Sequence, residues 1–138
     1  MATDTNKMTI LDVSGPFREP REQVFSYDYS IQRANWPLPH AVRVKVGIPE
    51  ELDVLRSKLL GSVAGTPGQQ LLISQVLSRR IADEKIRLAE AEGQLQDRRE
   101  VIVPLYAGPD AHRFPRLEEW LERDRETLRA EIRKRVNL

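Results

Sequence analysis

Two stretches in which apolar and polar residues alternate are followed by three stretches of helical period, and that order predicts an α+β fold. In Val24–Ile31, Phe25, Tyr27, Tyr29 and Ile31 alternate with Val24, Ser26, Asp28 and Ser30, the period of two of a strand with one buried face. The same pattern recurs over Ala41–Val46, where Val42, Val44 and Val46 lie on one side and Arg43 and Lys45 on the other; Gly47 ends it. Trp36-Pro37-Leu38-Pro39 joins the two as a rigid extended link, because neither proline has an amide hydrogen for a ladder. Thr9–Val13 is a shorter strand candidate stopped by Ser14-Gly15-Pro16, and Pro16 with Pro20 predicts an irregular connector over 14–22.

The helical period begins at Pro49-Glu50-Glu51, a first turn with acids at the positive end of the dipole, and Leu52, Leu55 and Leu59 give the 49–60 helix one apolar stripe. The dominant element is Thr66 to Arg99. Thr66 suits an N-cap, Pro67 the first helical position, and Gln69 the reciprocal place in a capping box. Leu77, Ile81, Leu88, Ala91 and Leu95 recur at spacings of four and three, the seam of a helix packed lengthwise on another; Glu84 interrupts that seam and Gly93 weakens it. A helix over 67–99 would be about 50 Å long. Val101–Tyr106 reads as an edge strand or a kinked helix end, and Pro115 opens a helix over 115–136 with Leu117, Leu121, Leu128 and Ile132 on one face. The expected architecture is two or three antiparallel strands over 23–47, a short helix, and a long antiparallel helical hairpin. All of this forms a single domain over 23–138, preceded by an extended arm over 1–22.

Composition narrows the function classes. Lysine plus arginine is 22 against 21 acids, a net charge of +1, and residues 1–66 and 67–138 are each balanced, so no basic domain stands out for nucleic acid. With no cysteine, disulfides and thiolate metal sites are excluded. No apolar run approaches the roughly 18 residues of a membrane span, and Met1–Met8 is too polar for a signal peptide. The expected location is cytoplasmic or within a large assembly, without membrane insertion.

Candidate chemistry is sparse. Gly65-Thr66-Pro67-Gly68 has the spacing of an RNA-clamping GxxG loop, but its variable pair carries no basic residue and Pro67 removes an amide. A phosphate-binding P-loop would need lysine after Gly68, where Gln69 stands. The aromatic row of 25–31 lacks the interleaved cations that a nucleic-acid stacking platform uses, and predicts core instead. His40 and His112 fall in predicted loops without a second imidazole in register, and Arg129, Arg133 and Arg135 interleave with Glu126 and Glu131. No catalytic, cofactor or metal site is predicted. The expected function is that of a non-enzymatic structural or adaptor subunit of a multiprotein assembly, of which a virion or a secretion machine is one setting. The partner-binding candidates are Ile10, Leu11, Val13 and Phe17 on the arm and Leu77, Ile81, Leu88 and Leu95 on the long helix, with protein or the chain itself as partner. The alternatives are a nucleic-acid-binding regulatory protein and a small enzyme with an unrecognised site.

Overall fold

The computed structural model describes residues 7–19, 21–60, 65–91, 93, 95, 100–101 and 115–136. The elements run β1 (Thr9–Glu19), β2 (Val24–Gln32), β3 (His40–Gly47), a π-helical turn (Ile48–Leu52), α1 (Asp53–Leu60), α2 (Pro67–Ala91), β4 (Glu100–Val101) and α3 (Pro115–Val136). The strands form one sheet in the order β1-β2-β3-β4, the first three antiparallel and β4 parallel to β3. This is the α+β class that the alternation and the helical periods predict.

The alternation of β2 places its aromatic row on the helix-covered face. Tyr27, Tyr29 and Ile31 are fully buried, as are Val42, Val44 and Val46 of β3, and the registers Tyr27↔Val44 and Tyr29↔Val42 bring these side chains together on one face. Leu52, Leu55 and Leu59, then Leu77 and Ile81, then Leu121, Leu128 and Ile132 complete the core from the helical side. The opposite face of the sheet carries Asp28 bonded to Arg43 and Lys45 bonded to Glu22. Among the described residues the helices cover one face of the sheet.

Both boundaries of α2 follow from its local sequence. The capping box forms as predicted: the amide of Thr66 donates to Gln69 Oε1 at 3.0 Å, and the amide of Gln69 donates to Thr66 Oγ1 at 3.1 Å. At the other end α2 stops at Ala91, where Gly93 takes φ +74° and its amide reaches Glu90 O at 3.1 Å. The expected helix over 67–99 is thus shortened to 25 residues, about 37 Å, because a left-handed glycine ends it. Against it α3, with 22 residues and about 33 Å, runs antiparallel, its Arg123 at Glu84 and its Glu131 at Arg80. Two guanidiniums of α3 cap α1: Arg125 donates to Lys58 O and Arg129 to Leu59 O, supplying donors to carbonyls of its last turn.

A second correction concerns the N-terminal segment. Thr9–Val13, the strand candidate placed in the expected arm, does form a strand, but of the chain's own sheet, and it runs on through residues 14–19 of the expected connector, paired with β2 from Thr9↔Gln32 to Glu19↔Val24. The strand survives Gly15 and Pro16 by bulging, the register shifting between Ser14 and Phe17. Gly15 takes φ +130°, and a Cβ there would stand 2.8 Å from Ser26 O and 2.9 Å from Tyr27 Cδ1. Of the 101–106 stretch, Val101 lies in the two-residue edge strand β4 and residues 102–106 fall outside the described residues.

The one ion pair buried at both ends among the described residues locks these layers. Lys85 Nζ of α2 donates to Glu51 Oε1 at 2.6 Å and to Lys45 O at 2.7 Å, while the amide of Gly47 donates to the same Glu51 oxygen at 3.0 Å. One contact set thus ties α2, β3 and the π-helical turn. Desolvation pulls the Lys85 ammonium below its ordinary range, and Glu51 opposes that pull.

Two outcomes follow for stability. Lys85→Met, which takes the counter-charge from a buried carboxylate, should cost roughly 3–5 kcal/mol in urea unfolding, whereas Arg43→Met on the open face should cost about 1 kcal/mol or less; equal losses would show that the buried pair is not a special constraint. Gly15→Ala should cost roughly 1–3 kcal/mol from its left-handed backbone and the close carbonyl, and an unchanged unfolding midpoint would contradict the bulge geometry.

Candidate protein interface

The four arm candidates share β1 but not one environment. Val13 lies opposite Tyr29 and packs on the core, whereas Ile10, Leu11 and Phe17 remain 43%, 54% and 44% exposed. Ile10 lies opposite Ile31, Phe17 lies opposite Ser26, and Leu11 is the extra residue of a bulge between Ile10 and Asp12. Because β1 is the first strand of the sheet order, its outer edge has no strand against it among the described residues. An edge of this kind presents main-chain donors and acceptors beside exposed apolar side chains, the requirements for adding another strand.

The helical candidates are placed differently. Leu77, Ile81 and Leu95 are fully buried and Leu88 packs on the core, so the seam they form is covered from within the chain. This corrects the expectation that the seam of the long helix meets a partner: a period-3.5 stripe is equally satisfied by a sheet and a neighbouring helix of the same molecule. Glu84, the interruption in that seam, is buried against Arg87 and Arg123. The exposed apolar positions of α2 are instead Leu71 and Leu72, on its first turns.

Leu72 also lines a cleft of about 390 Å³ between β1, α2 and α3, whose walls include Pro16, Val76, Arg79, Arg80, Asp83 and Glu131. Its charges answer one another. Asp83 Oδ1 accepts from Tyr29 Oη at 2.7 Å and from Arg79 Nε at 3.1 Å, and Glu131 is bonded to Arg80 and lies 3.7 Å from Arg135. Beside it Tyr27 Oη and Ser78 Oγ share a hydrogen bond of 2.6 Å. Such pairs hold helix to sheet. No group of three histidine, cysteine or acidic residues able to hold a metal ion occurs among the described residues. His40 stacks on Trp36 with ring centroids 3.9 Å apart, and His112 lies outside the described residues.

Reading from the sequence missed the polar stitching of α2 to the sheet. Its signal was present: Tyr27 and Tyr29 sit in the buried row, and buried hydroxyls need partners. The open edge was not legible, since it depends on which strand ends the sheet. No protein-family model matches the chain, and no solved structure matches it with significance. No described helix is long and apolar enough to cross a membrane.

The hydroxyls give a direct check. Burial, reinforced by donation to Asp83, pushes the Tyr29 phenol well above its ordinary range, and burial pushes Tyr27 up against the opposing bond to Ser78. Folded-state values above the unfolded ones mean that this stability is present below about pH 10 and is lost as the pH rises beyond it. In an alkaline titration, two of the three tyrosines should ionise only together with loss of the helical circular dichroism. Titration of all three near pH 10 with helices intact would show those hydroxyls to be unburied.

Proposed function

We propose that the protein is a non-enzymatic structural or adaptor subunit that joins an assembly through the outer edge of β1. The observation that carries this reading is the eleven-residue strand at the end of the sheet order, with Ile10, Leu11 and Phe17 exposed along it. Strands at sheet edges are usually blunted by charge, proline or bulges, since an open ladder invites pairing. Here Pro16 and the Ser14/Phe17 bulge blunt the second half, while the first half keeps its apolar side chains in solvent. Leu71 and Leu72 on α2 offer a second apolar surface, as an adaptor that touches two neighbours requires. The charged cleft supports the same reading, because its carboxylates are engaged by guanidiniums and a tyrosine hydroxyl within the fold. The role proposed for β1 differs from that of a tether: the strand stays in its own sheet and receives a partner, instead of being lent to one.

The test replaces exposed side chains only. A tagged full-length chain carrying Ile10→Lys and Leu11→Lys should keep its helical signal and unfolding midpoint, yet elute from its source cells at the mass of the free chain, where the unmodified protein elutes in a larger complex. Retention of the larger complex by the double variant would refute attachment through β1.

A further inference from the structure

We propose that the strand added to β1 is the β1 of a second copy of this chain, in antiparallel register about a two-fold axis through Thr9. The inference rests on the edge reading above and adds the identity of the occupant. Two identical strands that join edge to edge in one continuous sheet are related by a two-fold axis perpendicular to it, so facing residues must lie on the same face. That condition eliminates half of the registers, and the charges select among the rest.

The faces are set by the pairing with β2. Thr9 lies opposite Gln32 and Asp12 opposite Ser30, both on the side of the sheet away from the helices, while Ile10 lies opposite the buried Ile31 and Met8 packs on the core. Lys7, two residues before Thr9, shares the open side by the alternation of an extended chain. With Thr9 facing its own copy, Met8 faces Ile10 on the helix side. One step further, Leu11 remains the bulged residue, as it already is toward β2, and Lys7 then faces Asp12 on the open side. In a strand without the bulge, Lys7 and Asp12 would fall on opposite faces. The bulge converts them into a facing pair of opposite charge, repeated twice by the symmetry, with an apolar pair between and Leu11 beside it.

Lys7, Ile10, Leu11 and Asp12 are all exposed, so each is available to a copy. Beyond Val13 the pairing stops, since the second bulge and Pro16 break the ladder. The interface is therefore short, and the charge pairs make it self-selective: any other face-consistent register loses both of them. Cross-strand opposite charges favour a pairing that like charges disfavour.

The absence of cysteine makes the register readable by cross-linking. In full-length protein, Thr9→Cys should oxidise to a covalent dimer at least tenfold faster than Ser14→Cys, because only position 9 meets itself at a separation a disulfide spans. Lys7→Asp alone and Asp12→Lys alone should each weaken self-association measured by sedimentation, and the double variant should restore it. Overturning results would be a monomer at all concentrations, equal cross-linking at positions 9 and 14, or no recovery in the charge-swapped double variant. If such a monomer still enters a larger complex that Ile10→Lys with Leu11→Lys abolishes, the edge binds a different protein and only self-pairing fails.

Discussion

The structure depends on laying α2 across a sheet face that carries two tyrosines. Burying the rings of Tyr27 and Tyr29 supplies much apolar area, but their hydroxyls must then find partners away from water. Ser78 and Asp83, five residues apart on α2, provide them. Lys85 extends the row to Glu51 and the carbonyl of Lys45, and Glu90 reaches Arg33 beyond the end of β2. A helix that slid or rotated along the sheet would strand several of these groups at once. Apolar packing alone would tolerate such motion far better, so the polar contacts select one placement of the helix.

With α2 placed, the remaining helices follow. α3 lies antiparallel on it, engaging Arg80 through Glu131 and Glu84 through Arg123, and its Arg125 and Arg129 close the end of α1. The described helices therefore sit on one face of the sheet. The other face is held by the surface pairs Asp28–Arg43 and Lys45–Glu22, and the sheet's two ends differ: β3 is extended by the short β4, whereas β1 closes the order at full length. The proposed mode of assembly is a consequence of this layering, which leaves the outer edge of β1 without a strand against it among the described residues.

The same constraint explains why buried and exposed leucines look alike along the chain. Leu77 and Leu72 both lie on α2, yet one is buried in the core and the other faces solvent. A hydrophobic spacing shows that a stripe will be covered and leaves open whether the cover is a sheet, a helix of the same chain or another molecule. For this reason Ile10, Leu11 and Phe17 retained exposure while Val13 and the helical seam did not.

The sequence by itself determined the elements governed by local physics. Period-two alternation specified β2 and β3 and their buried faces, the leucine stripe specified a short helix, whose expected first residues 49–52 wind instead as the π-helical turn before α1, and Thr66 with Gln69 specified the start of α2. These features require only neighbouring residues. Tertiary structure decided the rest. The local pattern marks only Thr9–Val13 as strand, and residues 14–19 continue it because β2 offers an edge and Gly15 lets the chain bulge past Ser26 and Tyr27. The charges of Glu51 and Lys85, 34 positions apart, are unremarkable in sequence and become a buried pair only when the π-helical turn meets α2. The free edge of β1 exists only in the completed sheet, since being last in strand order is a property of no residue taken singly.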